Sequence, residues 1–308
     1  MDSNARRPRI PRSSVGPVID LHTHPMLEGE PPITDRSHTF DEYRARMRGI
    51  HLVASAVLVM APAHDLPRTR SLNDRLLALA QGSPDRIWPF CSVHPADGPA
   101  ALRELRRVAS AGARGIKLHP NTQGFDVADP AVTRVVRTAA ALGLPVLFDA
   151  YSPFDADQPG KFIRLAMEVP EARLILAHAH GPAFPQLLVY EILARYPWWR
   201  RNVWIDLSAT APLLADGPFA ESFVWVCRKV GIDRIVFGSD YPLDDPPRAI
   251  AAVRRLGFRP AELSAIFHDN AARLMDRPAA PDRAVSPPSP GAGVTPRRRR
   301  PTRPGEAR

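Results

Sequence analysis

Asp20-Leu21-His22-Thr23-His24 closes a short apolar run near the start of the chain, and Gly238-Ser239-Asp240-Tyr241-Pro242 closes another near its end. Alternate residues of a strand share a side, so His22 and His24 can present both imidazoles to one metal ion. The distant carboxylate of Asp240 could complete such a site. A divalent ion held there would lower the pKa of a bound water from about 15.7 toward about 7 and polarise a carbonyl, which is hydrolytic chemistry. Either run alone is a weak signal; together they suggest a metal-dependent enzyme.

Residues so far apart meet only if the intervening elements return both runs to one place. After Val15, short apolar segments alternate with longer amphipathic ones. Strands are expected over 18–22, 53–59, 87–93, 114–119, 144–149, 173–177, 202–207 and 234–238. Helices are expected over 40–49, 71–81, 99–111, 130–142, 159–168, 184–195, 217–230, 246–256 and 260–274. Gly112, Gly143 and Gly231 stand where a helix would stop before the next strand. Eight strand–helix units predict an α/β fold, a parallel eight-stranded (β/α)8 barrel of the TIM type. An open doubly wound sheet is the alternative, but no Gly-rich phosphate turn supports it.

Barrel enzymes place their chemistry at the carboxyl ends of the strands. The residues found there are His22 and His24 (first strand), His94 (third), Lys117 and His119 (fourth), Asp149 (fifth), His178 and His180 (sixth), Asp206 and Ser208 (seventh) and Asp240 (eighth). Six of the chain's ten histidines are in this set, a clustering that scattered structural histidines would not give.

At 308 residues and 44% hydrophobic content the chain can bury a sizeable core. The formal charge of +9 invites a nucleic-acid reading, so its location matters. Residues 1–15 carry +3 and residues 277–308 carry +6, which leaves residues 16–276 neutral. Three parts follow: a disordered basic arm over 1–15, a catalytic barrel over 16–276, and a disordered Pro/Arg-rich tail over 277–308. Cys91 and Cys227 each sit in an apolar segment, which argues against a disulfide framework and for a reducing compartment. The amino terminus lacks a secretory apolar stretch and no apolar run is long enough to span a membrane, so a cytoplasmic location is expected.

The motifs resemble the amidohydrolase superfamily, and more closely its amidohydrolase-related branch (amidohydrolase 2), which includes decarboxylases of the aminocarboxymuconate semialdehyde type and small-ring lactonases. The likeness runs from residue 18 to about 275: Ile-Asp-Leu-His-Thr-His (19–24), Gly-Ile-Lys-Leu-His-Pro (115–120), Leu-Gly-Leu-Pro-Val (142–146), Leu-Ala-His-Ala-His-Gly (176–181), Phe-Gly-Ser-Asp-Tyr-Pro (237–242) and Asp-Asn-Ala-Ala-Arg-Leu (269–274). The resemblance implies that His22 and His24 are metal ligands. It makes Asp240 both a ligand and the acid/base that handles the proton of the attacking water, and places His178 where the family binds metal or orients that water.

One position departs from the pattern. Where the family usually reads Pro-Val, two apolar residues and His, this chain reads Pro145-Val146-Leu147-Phe148-Asp149. Asp149 therefore has two readings. As an anionic ligand it would harden the donor set and shift preference from zinc toward manganese or iron. Otherwise it merely accepts hydrogen bonds, or the site has lost its metal. Lys117 is either a carbamylated bridge between two metals, as in some superfamily members, or a solvated or substrate-anchoring ammonium, the second being favoured. His94, His119, His180 and Tyr151 are expected to contact substrate, with structural roles as the alternative for His94 and His119. Asp206 reads as the partner of a ligating histidine. The loop over 150–161 offers Tyr151, Asp155, Asp157 and Lys161 for substrate recognition, or simply as solvated groups. Trp198 and Trp199 with Arg200 and Arg201 read as outer packing or a subunit contact.

The expected function is metal-dependent hydrolysis of an amide, ester or lactone in a small molecule, with zinc favoured and manganese or iron as alternatives. Metal-dependent, non-oxidative decarboxylation of a small carboxylic acid would use the same site. Of a different class are a metal-free pseudoenzyme and a nucleic-acid binder acting through Arg297–Arg300; the latter is disfavoured because those arginines lie in a Pro-rich segment without interleaved aromatics. No membrane partner is expected. Homodimers are common in the resembling family, although nothing in this chain demands one.

Overall fold

The computed structural model describes residues 16–35, 37–83 and 86–276. Eight strands pair in parallel in chain order: β1 (Val18–Thr23), β2 (Leu52–Leu58), β3 (Ile87–Ser92), β4 (Gly115–Leu118), β5 (Val146–Asp149), β6 (Leu174–Ala177), β7 (Val203–Asp206) and β8 (Ile235–Val236). Hydrogen bonds from Leu21 N–H to Phe237 C=O (3.0 Å), Asp240 N–H to His22 C=O (2.8 Å) and His24 N–H to Tyr241 C=O (2.6 Å) join β1 to the chain leaving β8 and close the barrel. The expected (β/α)8 architecture is the observed one. The basic arms over 1–15 and 277–308 lie outside the described residues.

The helices are α1 (Phe40–Arg46), α2 (Leu66–Gly82), α3 (Pro99–Ser110), α4 (Pro120–Gln123), α5 (Pro130–Ala141), α6 (Gln158–Glu168), α7 (Val189–Leu193), α8 (Thr210–Leu214), α9 (Ala220–Val230), α10 (Pro246–Arg255), α11 (Pro260–Ser264) and α12 (Asn270–Asp276). Local chemistry sets their starts. Asp65 and Asp129 accept N–H groups of the first turns of α2 and α5, and Thr39 with Glu42 forms a capping box on α1. Prolines occupy the first turns of α2, α3, α5 and α10, where no N–H is needed. Gly143, at φ +71°, ends α5 in a conformation that other residues adopt at a cost. Two expected helices are broken. The 184–195 stretch starts as an irregular 3₁₀ segment, and 260–274 passes through a π-helical turn at Ala265–Asp269.

The period of two along each strand divides the core. Ala54, Ala56, Leu58, Trp88, Phe90, Leu147, Ile175, Trp204 and Val236 fill the barrel, while Val57, Cys91, Ile116, Leu118, Val146, Phe148, Val203 and Ile205 face the helices. Cys91 and Cys227 are buried free thiols. Ala271, Leu274 and Met275 of α12 join the interior cluster beside Trp88 and Trp204 at the amino-terminal end of the strands. Arg173 and Arg114 hold the last turn of α12 there by hydrogen bonds to Leu274 and Met275 C=O. That end is plugged, and the chemistry-bearing side chains gather at the other. No helix among the described residues is long and apolar enough to cross a membrane.

Candidate active site at the carboxyl ends of the strands

Strand parity delivers three of the charged groups. Lys117, Asp149 and Asp206 take the inward phase that Leu147 and Trp204 share with the interior cluster, so each points into the barrel just above its apolar plug. His22 needs more. Ile19 and Leu21 face inward, and strict alternation would turn His22 toward the helices. Between Asp20 and Thr23, β1 advances three residues while β2 advances two, from Ser55 to Val57. This bulge re-aims His22 into the barrel.

His22 Nε2 lies 3.1 Å from His24 Nε2 and 3.4 Å from Asp240 Oδ1, and His24 Nε2 lies 3.9 Å from the same oxygen. A tetrahedral shell with metal–ligand bonds of about 2.0–2.2 Å has edges of about 3.3–3.6 Å, so these separations fit a single divalent ion. Among the described residues, His22, His178 and Asp240 also form a group whose ligand atoms lie within 4.8 Å of one another. The donor chemistry agrees. Burial, with the Lys117 ammonium nearby, holds both His22 and His24 well below the usual histidine range, which leaves neutral imidazoles with lone pairs to offer.

Asp206 fixes the orientation. His22 Nδ1 donates to Asp206 Oδ2 at 2.7 Å, which leaves the His22 lone pair on Nε2. Ser208 Oγ donates to the same oxygen at 2.7 Å and its N–H to Oδ1 at 2.9 Å. The backbone of Gly238 passes so close that a Cβ there would lie 2.5 Å from Asp206 Oδ1 and 2.6 Å from His22 Cβ. In the metal-free protein burial raises the Asp240 carboxyl to about 6, against the pull of His178 and Lys117.

Asp149 meets different partners. Its Oδ2 lies 3.0 Å from His178 Nε2 and 3.3 Å from His119 Nε2, a single oxygen shared by two imidazoles. Burial works against this carboxylate, yet the hydrogen bond from His178 and the charges of His178 and Lys117 hold it well below the usual range. Burial likewise pushes His178 down, but the Asp149 hydrogen bond and the charges of Asp240 and Asp149 prevail and raise it to about 9. His119 is lowered to about 4 by burial and by Lys117. Its Nδ1 accepts the Thr122 N–H at 3.4 Å, so Nε2 carries the proton that faces Asp149.

Lys117 is wholly buried, with Nζ 3.3 Å from His22 Nε2; burial lowers its pKa while Asp149, Asp240 and Asp206 oppose the shift. The structure thus brings together His22, His24, Lys117, His119, Asp149, His178 and Asp240. It sets two candidates apart. His94 has both ring nitrogens engaged by backbone, Nε2 donating to Gln123 C=O at 2.6 Å and Nδ1 accepting from Ala96 N–H. His180 donates from Nδ1 to Ala150 C=O at 2.8 Å and stacks on Phe162. Positive φ at His178, Ala179 and His180 (64°, 46° and 59°) turns the two histidines to different partners. Tyr151 is half-buried and covers Gly181, whose added Cβ would meet the ring at 3.0 Å. Lys161 bridges Asp155 and Asp126 at 2.8 Å each, tying the loops after β5 and β4. Asp157 stands at the start of α6 without a capping bond. Trp199 packs on Tyr190 and Trp198 on Tyr196.

Two contributors carried no role in the sequence reading. Asp20 accepts the N–H groups of His22 (3.2 Å) and Ser239 (2.9 Å) and the Tyr43 hydroxyl (3.1 Å), so it pins the segments that carry His22 and Asp240 across the barrel seam. Gln123 ties three strand ends. Asp20 could have been suspected from its place inside the Asp-Leu-His-Thr-His run; Gln123 leaves no motif.

Comparison with known proteins identifies the family. The sequence profile Amidohydro_2, described as amidohydrolase, matches residues 19–277. Similar solved structures include a protein from Staphylococcus aureus assigned as an amidohydrolase (18% identity, covering 84% of this chain and 99% of that one, TM-score 0.67). Another is a protein from Pseudomonas putida assigned as a 2-pyrone-4,6-dicarboxylic acid hydrolase (18% identity, 84% and 97%, TM-score 0.62). A third is the 5-carboxyvanillate decarboxylase of Novosphingobium aromaticivorans, complexed with manganese and 4-hydroxy-3-methoxy-5-nitrobenzoic acid (16% identity, 86% and 96%, TM-score 0.62). A search of the curated proteins finds no match. At these identities the structures speak for the fold, while the profile covers nearly the whole barrel: the chain belongs to the amidohydrolase family, in its amidohydrolase-related (amidohydrolase 2) branch.

Proposed function

We propose that this chain is a metal-dependent hydrolase that adds water to an amide, ester or lactone bond of a small molecule. The observation that carries the reading is the convergence of His22 Nε2, His24 Nε2 and Asp240 Oδ1 at 3.1–3.9 Å, with Asp206 fixing the first imidazole. His22, His24 and Asp240 hold the ion, with His178 and Asp149 beside them; nitrogen and carboxylate donors suit zinc, and manganese or iron are the alternatives. When bound, the ion supplies Lewis acidity toward a carbonyl and acidifies a water.

The rest of the chemistry belongs to the chain. Asp240, beside the ion, takes the proton of the attacking water and returns it to the departing nitrogen or oxygen as the C–N or C–O bond breaks. Lys117 and the His178–Asp149 pair line the reacting centre, where negative charge develops on the carbonyl oxygen. His119 presents an N–H from the carboxyl end of β4. Asp149 holds His178 and His119 in register. The substrate is a small molecule.

The same cationic surroundings favour a second reading, non-oxidative decarboxylation, in which the substrate's own carboxylate is held while the C–C bond breaks and a proton replaces carbon dioxide. The similarity to a decarboxylase complexed with manganese and a benzoic acid supports it. Product analysis of the metal-reconstituted enzyme against lactones, amides and aromatic acids separates the two. Incorporation of labelled water oxygen into product supports hydrolysis, and released carbon dioxide replaces that reading with the second.

A further inference from the structure

We propose that Gln123 is a positioning residue that clasps the open ends of β2, β3 and β4 and sets the approach of His119 to Asp149. Past Leu58, Ser92 and Leu118 the three strands leave the ladder, and their backbone groups need other partners. The Gln123 amide supplies them. Its Nε2 donates to Ala61 C=O at 2.8 Å and to Val93 C=O at 3.2 Å, and its Oε1 accepts His119 N–H at 2.8 Å. Both amide protons and the oxygen are used, one to each strand.

The device has two supports. Gln123 ends the single turn of α4, which begins immediately after His119 and folds the side chain back over that residue. His94 then donates to the Gln123 backbone C=O at 2.6 Å, with its other nitrogen held by Ala96 N–H, and so latches the turn from the β3 side. The same Ala61 gives its N–H to Ser92 Oγ at 3.0 Å, and Ser92 Oγ donates to Lys117 C=O at 2.8 Å. Ala61, beyond β2, is therefore linked through Gln123 to His119 and through Ser92 to Lys117. His119 in turn has Nδ1 occupied by Thr122 N–H and Nε2–H directed at Asp149 Oδ2, 3.3 Å away. Releasing its main chain from Gln123 frees the ring to leave that tautomer.

The role rests on His119 and Asp149 belonging to the proposed site, but its test does not depend on turnover. In full-length, zinc-reconstituted protein labelled at imidazole nitrogen, the His119 signals are identified by their loss in His119→Asn. Gln123→Met keeps the length of the side chain and removes all three hydrogen bonds. Gln123→Glu keeps an acceptor for His119 N–H and loses donors. The expected result is a single Nε2–H tautomer for His119 in the wild type and in Gln123→Glu, a mixture of tautomers in Gln123→Met, and unchanged His22 and His24 signals throughout. An unshifted His119 spectrum in Gln123→Met overturns the proposal. Amide exchange in the wild type tests it without any variant: His119 N–H must exchange far more slowly than the neighbouring Asn121 N–H, and equal rates overturn it. A protein without hydrolase activity would refute the proposed function and leave these readouts standing.

Discussion

Replacing Asp206 with Asn separates metal affinity from fold stability. Asp206 is fully buried and accepts from His22 Nδ1 (2.7 Å), Ser208 Oγ (2.7 Å) and Ser208 N–H (2.9 Å). The asparagine keeps the shape but has one acceptor oxygen, so either His22 or the Ser208 main chain loses its partner. A hydrogen bond to a charged group is worth about 1.5–3 kcal/mol net, which at about 1.4 kcal/mol per decade corresponds to roughly a 10–100-fold loss in metal affinity. Removal of such outer partners of metal-ligating histidines typically has an effect of this size. The metal-free fold should not suffer in proportion, because burial already raises the Asp206 carboxyl and the neutral amide avoids that penalty. Competition against a chromophoric chelator gives the affinity and thermal unfolding of the stripped protein gives the stability. Asp216→Asn, which alters a surface pair with Arg255, is the control. An affinity within about twofold of wild type would refute the orienting role of Asp206.

The His178–Asp149 pair predicts a pH dependence for the metal-free protein. His178 rises from 6.5 to about 9 on folding, so its contribution is fully present below the lower value and vanishes as pH climbs through the upper one. Asp149 is depressed below 3.8, so its contribution is present above that value and fades as pH falls. The His178 contribution to unfolding free energy should fall as pH climbs from neutral through about 9, and Asp149→Asn should flatten that slope; parallel slopes would contradict the pairing. Gly238→Ala, whose Cβ would press on Asp206 and His22, should destabilise by about 1–3 kcal/mol and weaken metal binding, both measurable by denaturant titration with and without metal. Because His22 and His24 lie on or beside β1 and Asp240 follows β8, an ion held by the three would bridge the barrel seam. Chelation should therefore lower Tm, by the equivalent of about 4 kcal/mol if free metal had stood at a thousandfold over Kd, and speed amide exchange at Leu21 and His24. Unchanged exchange at the seam would place the ion elsewhere.

Periodic signals in the sequence read well. Each barrel strand falls on an apolar run that the sequence marks, and Lys117, Asp149 and Asp206 face inward as a period of two requires. The β1 bulge is invisible to that period because it is a mismatch with β2, and without it His22 would face away from Asp206. Position at a strand end could not show that backbone carbonyls already engage His94 and His180. Nor could it show the left-handed run at His178–His180, since no glycine marks those three positions. The one-turn α4 carries Gln123 and is too short for any periodic signal. The partners of Asp149 come from β4 and from the turn after β6, contacts that only the closed barrel defines.

Metal content of the purified, full-length protein by plasma mass spectrometry, beside His22→Ala/His24→Ala, tests the central claim most directly. The account predicts about one equivalent of a divalent ion in the wild type, restored after chelation by reconstitution and absent from the double variant. Wild-type protein that stays metal-free after reconstitution, or a double variant that retains its ion, would contradict it.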